Sequence, residues 1–462
     1  MTAPDLSRLL AELRDVPEYD RFLTVDELYA QAREAARTHP ELARLEEVGH
    51  STDGEAIPML TVGDGPVPLL FYACPHPNEP IGAMLVSYLT GRLLRDPAFR
   101  AGYTWHLLPC VDPDGTRLNE GWFAGPFTVR HYARHFYRPP GVEQVEWTFP
   151  VAHKTYRFDA PIPETRALMH ALETAHPAFV YSLHNAGFGG VYYYLSRDLP
   201  AVYPAFHALP AALGLVLATG EAEIPWATVF APAIYKDSSV AEAYDYFEAF
   251  TDQDPATLIG SGGSSSDFLN TLPGERALAL VTELPYFEAP AVADPAPSGQ
   301  TRREVLLAGH GRRQERTRQV EALLAPVRPL MTLDSRLYRA ARLFHDHYLA
   351  GGESGRQAIL NDERTLEVAT VAQRADALYV GSFYQLLLYS MLDRAFDLQR
   401  AEGDDPRLEE AQAQLRALLD AGFSDLDTHL ASRALPIRAA VQMQLGALLA
   451  VLPQLGTTPA AG

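Results

Sequence analysis

The 462-residue chain predicts an α/β fold, a mixed twisted sheet flanked by helices, followed by an all-α region. Three observations carry that expectation. From Leu23 to about Pro290, short apolar runs that end in turn residues alternate with amphipathic helical segments. At 290–299 the run Ala289-Pro290, Asp294-Pro295-Ala296-Pro297 and Ser298-Gly299 reads as a linker, and beyond it strand signals almost vanish. The length also exceeds what one core comfortably supports. Two domains are therefore expected, at 1–295 and 300–462.

The elements follow in order. Thr24 as N-cap, with Asp26 and Glu27 in the first turn, starts a helix over 25–38. Gly54 closes a turn before a strand at 57–62. The apolar run 67–73 is a short buried strand. Pro80 then suits a first helical turn, and Ile81, Met84, Leu85, Tyr88 and Leu89 recur at helical spacing. A strand at 104–110 runs into the turn Val111-Asp112-Pro113-Asp114-Gly115. Two further apolar runs, 179–183 and 277–282, end at His184 and Glu283. Past the linker, helices are expected at 304–324, 337–348, 365–400, 408–419 and 437–452, forming a bundle.

Composition excludes some functions. Apolar residues at 47% are enough for a full core, and the net charge of −20 leaves no basic footprint for nucleic acid. No uninterrupted apolar stretch reaches membrane-spanning length. The start, Met1-Thr2-Ala3-Pro4-Asp5, lacks a basic and an apolar leader region, so a cytoplasmic protein is expected. The two cysteines, Cys74 and Cys110, each end an apolar run and read as buried free thiols. No tandem repeat is visible, and the oligomeric state is not legible.

The chemistry concentrates at strand ends. His76 and Glu79 lie in the loop after the 67–73 strand, where open α/β sheets place their ligands. Spacing alone does not select this pair, because His170 and Glu173 repeat it within the amphipathic segment 164–174. No strand end precedes that second pair, so it reads as a solvated helix face. His131 and His135, at i, i+4, are a rival zinc pair without a strand-end setting. His345-Asp346-His347 reads as exposed, because i, i+2 side chains on a helix point apart. His76, Glu79, His184 and Glu283 follow three different strands that one sheet could bring together. Three protein ligands and a water describe an open, catalytic zinc site. His76, Glu79 and His184 would be the ligands and Glu283 the base.

With these residues in place, the sequence from about Phe22 to Phe287 resembles the zinc carboxypeptidase family, the funnelin metallopeptidases. Val48-Gly49-His50-Ser51-Thr52-Asp53-Gly54 is similar to the family's Gly-x-Ser-x-x-Gly turn. His76-Pro77-Asn78-Glu79 matches its first two zinc ligands and Ser182-Leu183-His184 its third. Asp112-Pro113-Asp114-Gly115 with Arg117 resembles its Asn-Pro-Asp-Gly segment and the arginine that polarises the scissile carbonyl. Thr282-Glu283-Leu284-Pro285-Tyr286 resembles the segment carrying the general base, and Gly262–Asp267 the Gly-rich loop before it.

The chain departs from the family at three places. Tyr137-Arg138 stands where an Asn-Arg pair grips the substrate's terminal carboxylate. Leu258 aligns with a mobile substrate-contacting tyrosine, with Tyr235, Tyr244 and Tyr246 upstream. Ser265 or Ser266 falls at the specificity position. The resemblance implies one zinc per chain and a metallocarboxypeptidase with Glu283 and Arg117 catalytic. Arg138, Tyr137 and Ser265 would bind a small peptide or an acylated amino acid. A deacylase of the succinylglutamate desuccinylase and aspartoacylase kind shares such a site, and a non-catalytic binding module would keep the fold.

Overall fold

The computed structural model describes residues 5–274, 276–403 and 405–455. The tetrapeptide Met1-Thr2-Ala3-Pro4, part of the leader reading, lies outside the described residues. The architecture is a large mixed sheet flanked by helices, with a helical C-terminal region.

Nine strands build the main sheet: β1 (Ala43–His50), β2 (Ala56–Val62), β3 (Val67–Ala73), β4 (Tyr103–Leu108), β5 (Phe179–Leu183), β6 (Tyr192–Leu195), β7 (Val229–Ala231), β8 (Ile234–Lys236) and β9 (Leu278–Glu283). Their spatial order is β1-β2-β4-β3-β5-β9-β6-β8-β7. The centre is parallel: β4, β3, β5 and β9 all run the same way. Antiparallel pairs close both sides, β1 and β2 on one, β6 against β9 and β7 against β8 on the other.

Side-chain alternation along β3 shows how the sheet is buried. Leu69, Phe71 and Ala73 enter one apolar cluster with Met84, Leu85 and Leu89 of the helix Ile81–Arg95. Leu70 and Tyr72 enter the opposite one with Leu168 and Leu172 of the helix Pro163–Ala175. A period of two on a strand buried on both faces leaves no polar position, which is why this run reads as continuously apolar. The helix Val25–Thr38 begins where its cap predicts, with a full capping box between Thr24 and Glu27. Both cysteines are buried and free. His170 and Glu173 are exposed on their helix.

The C-terminal helices differ from expectation in detail. One helix over 365–400 was expected. Instead a short strand (Val368–Thr370), a capped turn of helix (Val371–Ala375) and a π-helical turn (Asp376–Val380) precede the long helix Gly381–Glu402. Asp376 accepts the backbone N–H of Glu221 there, so a tertiary contact bends what local propensity would continue. The 290–299 run is not a bare linker. Pro297–Thr301 forms a strand paired with Val368–Thr370. The helix expected at 408–419 extends over Pro406–His429, with Gly422 packed against Leu386 at the helix crossing. An unforeseen helix covers Gly352–Asn361. His345 is 1% exposed, not solvated as expected: Tyr389 and Glu321 take its two ring nitrogens. His347 is exposed as read.

These helices share the apolar cluster of the sheet. The helix Ile437–Val451 packs on Ile81–Arg95 and on Tyr203–Ala212. Its Gln444 receives the Tyr181 hydroxyl on its carbonyl at 3.1 Å and donates to the His184 carbonyl at 3.3 Å. Among the described residues, no helix is long and apolar enough to cross a membrane. Because Leu448 is fully buried in this shared core, Leu448→Ala should cost about 2–5 kcal/mol. Denaturant unfolding measures this, and a loss below about 1 kcal/mol would show that the helix is only loosely docked.

Candidate metal centre

The neighbouring parallel strands β3, β5 and β9 are in a register that sets Ala73 opposite Leu183 and Ser182 opposite Val281. Their carboxyl ends open on one edge, and the residues that follow meet there. Cys74, just past β3, takes a φ of 53°, a left-handed conformation that costs a side-chain-bearing residue. This bend sits between the strand and His76. The loop is then pinned from two sides. The Tyr286 hydroxyl donates to the Asn78 carbonyl at 2.8 Å, and the Ile81 N–H donates to the Asn185 side chain at 3.1 Å. Gly82 permits the close approach of this helix to β5, because a Cβ there would lie 2.4 Å from the Leu183 Cβ.

His76, Glu79 and His184 are buried, with potential ligand atoms all within 4.8 Å of one another. Glu79 accepts from Arg138 Nη1 at 2.8 Å through one oxygen. Its other oxygen is 3.1 Å from both His184 Nδ1 and the Asn185 N–H. The Nδ1 of His76 is buried without a hydrogen-bond partner, which costs about 1–3 kcal/mol unless something fills the place. Burial first, then Arg138 and His184, hold the His76 ring well below the ordinary imidazole range, so it is neutral with a lone pair to give. Burial acts the same way on His184, but the carboxylates of Glu146, Glu79 and Glu283 outweigh it and push this ring well up. The surroundings thus favour a cation. Two imidazoles and a carboxylate are a donor set suited to Zn²⁺, and the orphaned His76 nitrogen fits that role.

Glu283, at the end of β9, has an oxygen 3.9 Å from His184 Nδ1. Burial chiefly, then the Glu223 and Glu79 carboxylates, push it well above the usual carboxylate range, although His184 acts against them. On the other edge of the His184 ring, Nε2 lies 3.8 Å from Glu146. Sequence reasoning missed Glu146. It sits on a single 3-10 turn, Val145–Trp147, with no strand end or periodicity to mark it. Its carboxylate accepts from the Tyr72 hydroxyl, from Ser182 Oγ at 3.0 Å, and from Ser265 at 2.8 Å (N–H) and 3.0 Å (Oγ). A carboxylate behind a ligating histidine fixes the ring's tautomer and orientation.

These groups line a cavity of about 830 Å³, walled on the far side by Phe344, Tyr348 and Tyr384 of the C-terminal helices. Arg138, Ser265 and Tyr235 are in its wall; Tyr244 and Tyr246 are not. Two residues expected at the site lie elsewhere. Arg117 is clamped by Glu55 at 2.8 Å and Asp26 at 2.7 Å in a separate pocket, because those carboxylates neutralise it on the other side of the Asp112–Gly115 turn. Tyr137 is 2% exposed and packed in the apolar core, since its aromatic ring gains more from burial than a cavity position offers. The rings of His131 and His135 are 4.7 Å apart, but they join no metal-suited group among the described residues.

Residues 28–209 match the sequence model of the zinc carboxypeptidase peptidases. Over this segment the chain is similar to that family. Solved structures similar to it include a candidate metallopeptidase from Shewanella denitrificans, at 20% identity over 56% of this chain and 81% of that one, with a TM-score of 0.37. Carboxypeptidase A from Helicoverpa armigera is 17% identical over 61% and 70%, with a TM-score of 0.36. A metallo-carboxypeptidase from Burkholderia cenocepacia is 16% identical over 57% and 60%, with a TM-score of 0.31. No curated protein sequence matches.

Replacing His184 by Ala should remove most of the bound zinc, whereas His131→Ala and His135→Ala should leave it. Elemental analysis of the purified variants reads this directly, and unchanged zinc in the His184 variant would refute the assignment.

Proposed function

We propose that the protein is a zinc-dependent hydrolase of an amide bond next to a free carboxylate, most simply a metallocarboxypeptidase acting on small substrates. The observation that carries this reading is the meeting of Glu283 with His76, Glu79 and His184 in one cavity. His76, Glu79 and His184 would hold the zinc, which when bound supplies Lewis acidity to water and to the scissile carbonyl. Glu283 takes a proton from the attacking water and delivers it to the leaving amine. Its burial raises it above the usual carboxylate range and so favours proton uptake, as a shuttle requires. A module that only bound its ligand would have no need of such a group.

Arg138 reads the substrate's carboxylate. Its Nη1 is held by Glu79 and its Nε by Gln144 at 3.2 Å, so the guanidinium is fixed in the cavity wall. Among the described residues, no protein acceptor takes Nη2, which leaves that edge to a ligand. With Arg117 outside the cavity, Arg138, held beside Glu79, also offers positive charge to the carbonyl oxygen. Ser265 shapes the wall next to Glu146. We assign residues 1–295 to the catalytic domain and give 300–462 the task of closing the cavity. That closure favours short peptides, and it equally suits an N-acyl-amino-acid deacylase, the second reading.

Glu283→Gln should keep its zinc and lose most turnover, because the amide is nearly isosteric but shuttles no proton. Loss of the metal in this variant, or full activity, would overturn the role. A free-acid substrate should be cleaved faster than its C-terminal amide. A charge-assisted hydrogen bond contributes about 1.5–3 kcal/mol, so Arg138→Ala should lower kcat/KM on the acid by about one to two powers of ten and erase the preference. Equal wild-type rates on acid and amide would remove the carboxypeptidase reading and leave the deacylase to be tried on acylated amino acids.

A further inference from the structure

The cavity wall beside Glu283 is built of tyrosines around a carboxylate that has no use in the reaction described above. Alternation along β6 turns Tyr192 and Tyr194 to the same face, while Tyr193 goes to the other and stacks on Phe206 at 4.1 Å. Tyr235 of β8 is paired in register with Tyr194 and joins that face. Ring centroids of Tyr194 and Tyr235 are 5.7 Å apart, those of Tyr192 and Tyr194 5.9 Å. All three rings are buried against protein yet line the cavity. Tyr192 and Tyr194 donate their hydroxyls to the two oxygens of Glu223, at 2.6 and 2.8 Å.

Glu223 itself is exposed and also lines the cavity. Among the described residues, no lysine, arginine or histidine comes within ion-pair distance of it. Its neighbour Glu221, by contrast, is paired with Arg302 at 2.6 Å. Each oxygen of Glu223 takes one phenol and retains further acceptor capacity. The wall lies next to the reaction centre, because Tyr192 is the register partner of Glu283 across β6 and β9.

An uncompensated carboxylate set among aromatic faces is a poor place for an anion or a purely apolar group and a good one for a cation. The carboxylate supplies the counter-charge and the ring quadrupoles add attraction. A merely structural role for Glu223, as acceptor for two phenols, would not require it to stay open to the cavity. Resting on the hydrolase reading of the same site, we propose that the substrate carries an ammonium or guanidinium group, received by Glu223 against Tyr192, Tyr194 and Tyr235.

The test separates binding from turnover. Titration calorimetry on the zinc-loaded full chain compares lysine and arginine with norleucine, which matches the lysine stem without its charge. At least one of the cationic probes should bind about tenfold or more tightly than norleucine, and lysine against arginine tells ammonium from guanidinium. Glu223→Gln still accepts from one phenol and donates its amide N–H to the oxygen of the other, so the wall stays assembled, and it should reduce that ratio towards one; Glu223→Lys should invert it. Equal wild-type binding of charged and neutral probes, or a ratio kept by Glu223→Gln, would overturn the proposal. In parallel, dipeptides with lysine or norleucine at either position report kcat/KM. A binding preference without hydrolysis of any dipeptide would refute the carboxypeptidase reading and leave the cation subsite standing. Hydrolysis without any charge preference would do the reverse.

Discussion

Everything at the candidate site depends on three parallel strands ending side by side. β3, β5 and β9 are hydrogen-bonded neighbours in a register offset by no more than a residue or two at their ends. A loop residue after any one of them is therefore within a few ångströms of a loop residue after the next, since strands lie about 4.8 Å apart. This arrangement brings His76, Glu79, His184 and Glu283 to one place. The largely buried strands then do what a functional site requires of its scaffold: they hold side chains in place by packing.

The charge at that place is unusual for a protein interior. Glu79, Glu146 and Glu283 surround a single imidazole, and one guanidinium, Arg138, answers only the first of them. Buried carboxylates at this density are tolerated only where hydrogen bonds, a proton or a cation offset their desolvation. Tyr72, Ser182 and Ser265 supply the hydrogen bonds for Glu146. The neighbouring carboxylates push His184, and burial with those carboxylates pushes Glu283, towards the protonated form. The zinc and the cationic substrate group proposed above would both answer the same electrostatic demand.

The C-terminal helices serve the site more closely than their distance in sequence implies. Gln444 touches the His184 carbonyl, Tyr384 accepts the Gly187 N–H at 2.9 Å on its hydroxyl oxygen, and Arg394 donates to the Phe136 carbonyl at 2.8 Å. These contacts steady the loop after β5 and the approach to Arg138 while the same helices wall the cavity.

The sequence by itself determined the strand that precedes His76, the capped helix at Thr24, the buried thiols and the set of residues that could carry metal chemistry. These are local signals, set by periodicity, caps and turn residues within a few positions. Only the tertiary structure decided which arginine reaches the cavity. Arg117 and Arg138 look alike in sequence, but Glu55 and Asp26 capture the first, while the second arrives beside Glu79. It also moved Tyr137 into the core, buried His345, raised Glu146 from an unremarked turn to the back of a metal-suited histidine, and gathered Tyr192, Tyr194 and Tyr235 around Glu223. Each of those outcomes depends on a partner more than ten residues away, set by sheet register or by helix packing, neither of which a local pattern encodes.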